Sequence, residues 1–292
     1  MANAIELAKS YVPKLDEVYK LASLTAMLDG APELVQQGAN ANELIIPMMT
    51  MDGLADYSRN SGYVQGDVTL TNETVKCNFD RGRRFTVDTM DDLETAGLAF
   101  GRLSAEFIRT KVVPELDAFR FAAYCGKTGV TKVEGALADG SAVLQALRAA
   151  STALDEAEVP LTERYLFITP SLHGMVQDLD TTKSREILTG FAKIVKVPQK
   201  RFHTAIDQLS GGTGEEAGGY KKADGASDLN FVIVHKPAVI QYHKHAAPKI
   251  VTPDANQDGD AYKYGYRLVS IADLYANKLA GVYASYKPVA GG

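Results

Sequence analysis

The sequence predicts an α+β protein, and three stretches carry that expectation. Residues 57–87 alternate short β-favouring pieces (Tyr63 and Val64; 68–70; Thr74 and Val75; Phe79; 85–87) with Gly62, Gly66, Gly82 and many polar side chains, the pattern of a β-hairpin. Directly afterwards, Leu93, Ala96, Phe100, Leu103 and Phe107 recur at helical spacing and form one apolar stripe. Farther on, the apolar stretch 231–234 shows no polar alternation, as expected of a strand buried on both faces. A second strand at 165–169 and a helix opening at Pro170 and Ser171 complete a compact α/β unit.

Residues 3–28 read as one or two short amphipathic helices interrupted by Pro13, with Leu15, Val18, Tyr19, Leu21 and Leu24 as their apolar positions. Residues 30–42 read as loop and 44–49 as a short strand. The hairpin pattern carries too few large apolar side chains to cover a core, and an isolated two-stranded ribbon is marginal in water, so it needs a partner surface. Thr89 with Asp92 resembles a capping box, and Asp88, Asp91 and Asp92 suit the positive end of the following helix. From Met90 to Val113 that helix would span about 36 Å at ~1.5 Å per residue. Pro114 is expected to bend or end it, with an apolar-rich stretch running on to Cys125.

Residues 126–140 form a connector, and Ser141 is expected to cap a second helix with Val143, Leu144, Leu147, Ala150 and Leu154 inward, closed by Pro160. Residues 210–228, with six glycines, read as a mobile surface loop. Strands are expected at 236–242, 249–252, 262–274 and 279–286, with a tight polar tip at 253–260.

The bulk numbers narrow the function classes. Of 292 residues, 46% are hydrophobic and 23% charged, ordinary for a globular protein, and the formal net charge of -5 argues against a dedicated nucleic-acid-wrapping protein. Cys77 and Cys125 lie far apart without a CxxC spacing, so they read as free thiols in a reducing compartment. No window approaches the ~20 apolar residues of a membrane span, and the charged N-terminus lacks a signal-peptide core, so no membrane partner is expected.

Four patterns imitate chemical sites and fail on spacing. Gly126, Lys127 and Thr128 form a GKT triplet, but a phosphate loop needs glycine where Phe121 stands. Asp254, Asn256, Asp258 and Asp260 open like a calcium loop, yet the twelfth position is Gly265. His235, His243 and His245 lack a carboxylate or thiolate at zinc spacing, and Ser171 with His173 lacks a nucleophile elbow. No catalytic residue, cofactor or metal site is therefore expected. The basic run Lys76, Arg81, Arg83 and Arg84 is the strongest charge feature. It is either a solvated hairpin edge or an intersubunit interface facing Asp88, Asp91, Asp92 and Glu94 of a neighbour, and the unpaired edge favours the interface.

The order of these blocks, with the strings ERYLFITPSLHGMVQDL (163–179), FVIVHKPAVIQYHK (231–244) and YKYGYRLVSIADLYANKLAGVYASY (262–286), resembles the major capsid proteins of tailed bacteriophages, the Hong Kong 97-like family whose fold encapsulins share. The resemblance implies an N-terminal arm (1–56), an extended β-hairpin loop (57–88), a spine helix of the peripheral domain (89–134), a mixed α/β axial domain (135–242), a long peripheral hairpin (243–277) and a return strand with C-terminal tail (278–292). It implies a non-enzymatic chain whose partners are itself, as pentamers and hexamers, and packaged double-stranded DNA held without sequence specificity. Separate scaffolding, portal and decoration proteins, a virion location and assembly in a bacterial cytoplasm are further implications. The chain starts almost at once with the arm, so scaffolding is expected as a separate protein or as a removed segment. Family members that crosslink covalently use a loop lysine, a peripheral asparagine and a glutamate; Lys76 and Asn256 are present, but no glutamate follows Glu216, so noncovalent cohesion is expected. The alternatives are an encapsulin-type cargo shell, with a peptide groove near the N-terminal helix, and a soluble α/β enzyme.

Overall fold

The computed structural model describes residues 22–30, 36–37, 43–90 and 98–288. Strands β1 (Gln36–Gln37), β2 (Glu43–Met51) and β3 (Val68–Lys76) form one three-stranded sheet in that order, with β2 and β3 antiparallel. β4 (Phe79–Asp88) follows two residues later but belongs to another sheet. The hairpin expected over 57–88 is thus displaced: its arms are 43–51 and 68–76, and 79–88 is part of the body. The reason is packing. Phe79 and Phe85 lie on one face of β4 and meet aromatic partners on the long helix, with ring centroids 5.0 Å from Phe119 and 4.8 Å from Phe107 respectively.

That helix comprises α1 (Leu98–Phe107), a π-helical turn (Ile108–Val112) and α2 (Val113–Gly126). The Val113 N–H donates to the Ile108 carbonyl, five residues back, and the widened turn accommodates Pro114, which has no N–H of its own. The helix therefore passes through the proline instead of ending there, and from 98 to 126 it runs about 43 Å at ~1.5 Å per residue. Of the expected capping box, Asp92 lies outside the described residues. The Thr89 hydroxyl donates to the Asp260 carbonyl (3.0 Å) and carboxylate (2.8 Å), while the Asp88 carboxylate accepts from the Met90 N–H at 2.9 Å.

The remaining elements are β5 (Thr131–Glu134), α3 (Gly140–Glu156), β6 (Arg164–Ile168), α4 (Pro170–Asp178), α5 (Thr182–Thr189), β7 (Lys193–Lys196), β8 (Ile206–Gln208), β9 (Tyr220–Lys222), β10 (Leu229–His235), β11 (Val239–Val251), β12 (Ala261–Leu274) and β13 (Val282–Tyr286). A central mixed sheet has the order β5-β13-β10-β6-β7. Every residue of β10 is buried because both faces are covered. Phe231 and Ile233 pack with Val143, Leu147, Ala150 and Leu154 of α3, while Val232 and Val234 pack with Phe121 and Tyr124 of α2. α3 is capped by Asp139, whose carboxylate accepts from the Ala142 N–H at 2.8 Å, and not by Ser141.

A second sheet, ordered β11-β12-β4, lies against α1 and α2 through Phe79, Tyr264, Tyr266 and Leu268. β11 and β12 pair from Val239↔Leu274 to Val251↔Lys263, so the two short strands expected at 236–252 are one long strand, with a bulge between His243 and His245. Among the described residues no helix is long and apolar enough to cross a membrane.

Candidate functional site

The ribbon formed by β2 and β3 concentrates apolar surface in water. Met49 lies opposite Leu70, and Met51 opposite Val68. Side chains alternate across a strand, so these four share one face, and each is more than half exposed. The tip extends the patch with exposed Leu54, Tyr57, Tyr63 and Val64. Asp52 and Asp67 close the tip: the Asp52 N–H donates to the Asp67 carbonyl (3.2 Å), and the Asp67 N–H to the Asp52 carboxylate (2.9 Å). Covering one such side chain contributes roughly 1.5–3 kcal/mol, and a contiguous exposed apolar patch marks an interaction surface.

The root of the ribbon is held firmly. Val75 is buried against Ile240 and Ile271. Three residues on, the Asn78 side-chain amide donates to the Ala272 carbonyl (2.8 Å), and its oxygen accepts from the Ala272 N–H (3.0 Å). The ribbon thus leaves the body in a defined direction.

A second attachment binds residues 23–29 to α2. The buried Asp117 carboxylate accepts from the Ser23 hydroxyl (2.9 Å), the Leu24 and Thr25 N–H groups (3.0 and 3.3 Å) and the Thr25 hydroxyl (2.6 Å). Arg120, also buried, donates to the Thr25 hydroxyl (2.9 Å) and the Asp29 carboxylate (3.2 Å). Gln241 on β11 donates to the Thr25 carbonyl (2.8 Å) and the Asp29 carboxylate (2.6 Å), and its oxygen accepts from the Tyr124 hydroxyl. The sequence reading missed this clamp, although Asp117 and Arg120, two of the three charged residues within the otherwise apolar run 113–124, were a visible signal for it.

The basic run separates into different roles. Lys76 ends β3, in register with Glu43. Arg81 Nε donates to Glu115 at 2.8 Å, and its Nη2 donates to the carbonyls of Leu209 (2.7 Å) and Gly219 (3.2 Å). Arg83 donates to the carbonyls of Glu216 (2.7 Å) and Ala217 (3.1 Å). These two arginines therefore work within the chain, because their side of β4 faces the helix and the 209–219 loop. Burial pushes the Glu115 carboxyl above its ordinary value, against the opposing pull of the Arg81 guanidinium. Arg84 projects to the other face of β4 and is exposed. Asp88 caps the turn at Met90, and Asp91, Asp92 and Glu94 lie outside the described residues.

The expected mobile loop is in fact closed on itself and on β4. β8 and β9 pair across it, the Glu215 carboxylate accepts from the Ser210 N–H (2.7 Å) and hydroxyl (2.8 Å), and the two arginines hold its carbonyls. Gly218 has φ +62°, a left-handed backbone conformation that favours glycine.

The motif-like residues serve the fold. Lys127 of the GKT triplet pairs with Asp273 at 2.6 Å. In the calcium-like tip, the Asn256 amide donates to the Ala261 carbonyl (2.9 Å), and Asp258 pairs with Lys263. His243 lies beside Arg120 (3.1 Å). Among the described residues no group of three histidine, cysteine or acidic side chains is arranged to hold a metal ion. Cys125 is buried in the core, which pushes its thiol up to about 12.

Solved structures that share this fold include capsids and a virus-like particle. The mature capsid of bacteriophage PhiM1 aligns with TM-score 0.61 and 12% identity over 86% of this chain and 83% of that one. The fold is the Hong Kong 97-like capsid fold. A chain from Gordonia phage Cozz aligns with TM-score 0.61 and 11% identity, covering 91% of this chain and 87% of that one. The virus-like particle from Pyrococcus furiosus aligns with TM-score 0.55 and 10% identity, covering 94% and 99%. No protein-family model and no curated protein matches the chain by sequence. Within the Hong Kong 97-like fold, the strings that carried the resemblance occupy β6 with α4, β10 with β11, and β12 with β13.

Proposed function

We propose that this chain is a major capsid protein, self-assembling as rings of five and six copies into the icosahedral shell around the double-stranded DNA of a tailed bacteriophage or prophage. The observation that carries this reading is the ribbon, whose exposed apolar face has no core of its own to cover, in a chain with a capsid fold. Residues 43–76 act as the extended loop, the helix through 126 as the spine, the central sheet with α3 to α5 as the axial domain, and β11, β12 and β4 as the peripheral sheet. Ribbon and arm lie across sister copies, and contacts between subunits offset the entropy of ordering them.

The role is structural and involves no chemical step. Lys76 and Arg84 are candidates for ion pairs with Asp88, Asp91, Asp92 and Glu94 of adjoining copies. Packaged DNA is met without sequence specificity, scaffolding, portal and decoration proteins are separate partners, and assembly takes place in the host bacterial cytoplasm before the protein resides in the virion. A cargo shell is the second reading, because the fold is shared by a particle described as virus-like, from Pyrococcus furiosus, as well as by phage capsids. Electron microscopy of particles from producing cells, with nucleic-acid absorbance on the same sample, tests both. Closed particles with DNA support the first reading, and closed particles with enclosed protein and no DNA support the second. A persistent monomer at high concentration overturns both.

A further inference from the structure

The chain passes directly from the central sheet to the β11-β12-β4 sheet and back, at residues 236–238 between β10 and β11 and at residues 275–281 between β12 and β13. A pocket of about 450 Å3 lies at these two crossings, walled on its third side by residues 157–163 between α3 and β6. Its size falls within the ~300–1,000 Å3 typical of small-molecule sites. The third wall is held in place. Buried Arg164 donates to the carbonyls of Pro160 (2.9 Å) and Val159 and pairs with Asp155 (2.8 Å), and the Lys236 N–H donates to the Glu163 carbonyl (3.0 Å).

His235 lines the pocket and is only 7% exposed, yet its ring has no hydrogen-bond partner among the described residues. Gly281 lines it too, and a Cβ there would stand 3.8 Å from His235 Nδ1, so the missing side chain leaves this nitrogen open to the cavity. Burial holds the imidazole pKa below its ordinary value, against the opposing pull of Glu163, and a neutral ring offers one acceptor nitrogen. A buried polar group without a partner is costly, and a ligand donor would satisfy it. Glu158 and Glu163 stand exposed at the rim with no ion-pair partner among the described residues. Their φ values of +56° and +59° are strained for a side-chain-bearing residue, and such strain collects at ligand sites. The lining cation is already engaged: Lys278 Nζ donates to the Pro237 carbonyl (3.2 Å) and lies 5.1 Å from the centre of the Tyr275 ring. The described residues offer no set of three ligands for a metal ion, so the charge to be matched is that of an organic cation. We infer that this pocket binds a small aliphatic amine, its ammonium donating to His235 beneath the carboxylates of Glu158 and Glu163 and its hydrocarbon lying on Val159, Pro160 and Pro237. An amine held there braces both crossings against the 157–163 loop, and so the central sheet against β11 and β12. The site is independent of the shell reading.

The test is calorimetric titration of the purified protein with 1,4-diaminobutane, with 1,4-butanediol as the uncharged control. Saturable binding of the diamine, none of the diol, and a thermal midpoint raised by the diamine are expected. His235→Phe and Glu163→Gln should each weaken binding about tenfold or more, the scale of losing one hydrogen bond to a charged group. Asp180→Asn, which removes an exposed carboxylate outside the pocket, should leave binding unchanged. Glu163→Gln alters only an exposed side chain, so its result stands even where His235→Phe fails to fold. Absence of saturable binding, or equal binding by Glu163→Gln and the unsubstituted protein, overturns the site. Equal weakening by Asp180→Asn and Glu163→Gln, the mark of general attraction to an acidic chain, overturns it as well.

Discussion

Asp117 and Arg120, three residues apart on α2 and both fully buried, fasten residues 23–29 to the long helix through hydrogen bonds from both directions. A buried charge is tolerable only when its hydrogen-bonding capacity is used, and here the partners come from a segment more than ninety residues away in sequence.

Asp117→Ala should therefore cost about 3–5 kcal/mol, the range for removing one member of a buried charged network. Ser23, Thr25 and Arg201 would all lose an acceptor. Asp117→Asn keeps an acceptor and should cost less. Urea denaturation midpoints check this, and a loss below ~1 kcal/mol for the alanine variant would contradict the clamp.

Replacing Met49 by lysine and Leu70 by aspartate, an opposite-charge cross-strand pair, should leave monomer stability within ~0.5 kcal/mol, because both side chains are exposed. Closed particles should be lost, as read by light scattering. Normal particles from this variant would show that the apolar face is not an assembly surface.

Gly140→Ala separates helix propensity from packing. In an open helix the change should stabilise by up to ~1 kcal/mol. Here a Cβ would stand 2.2 Å from the Met175 carbonyl oxygen, so overpacking is expected to destabilise by about 1–3 kcal/mol. A rise in thermal midpoint would contradict this packing.

Asp80 and Arg267 form two hydrogen bonds, of 2.8 and 2.6 Å, between β4 and β12. The hydrogen bond from Arg267 holds the Asp80 carboxyl below its ordinary value. The unfolded chain therefore takes up the proton first as pH falls, so the stabilisation is present above the unfolded value near ~3.9 and fades as pH drops through the lower folded value. The pair is exposed, so Asp80→Asn should cost at most ~1 kcal/mol at neutral pH. In acid, below the folded value, the variant and the parent should converge. A difference that persists undiminished in acid denaturation series would contradict the assignment.

Local pattern was read well where one face of an element decides its place. Val143, Leu147, Ala150 and Leu154 are all buried, as their spacing required, and the unbroken apolar run 231–234 sits in a strand covered on both faces. Pairing was read less well. Residues 68–76 and 79–88 share a similar polar, β-favouring character, and only their partners distinguish them: β3 pairs with β2, whereas Phe79 of β4 pairs with Ser270. The same distance hid most of the intrachain work of Arg81 and Arg83, because apart from Glu115 their acceptors are backbone carbonyls some 130 residues away that no side-chain pattern announces.

By itself the sequence determined most element types and their order along the chain, because periodicity is a property of neighbouring residues, and the capsid-like architecture entered as a resemblance of that order to a known family. Only the tertiary structure decided which strands make the ribbon, how Pro114 is absorbed, and where the arginines and Asp117 find partners. Those outcomes depend on which distant surfaces meet, and hydrogen bonds and packing between distant segments leave no local periodicity to read.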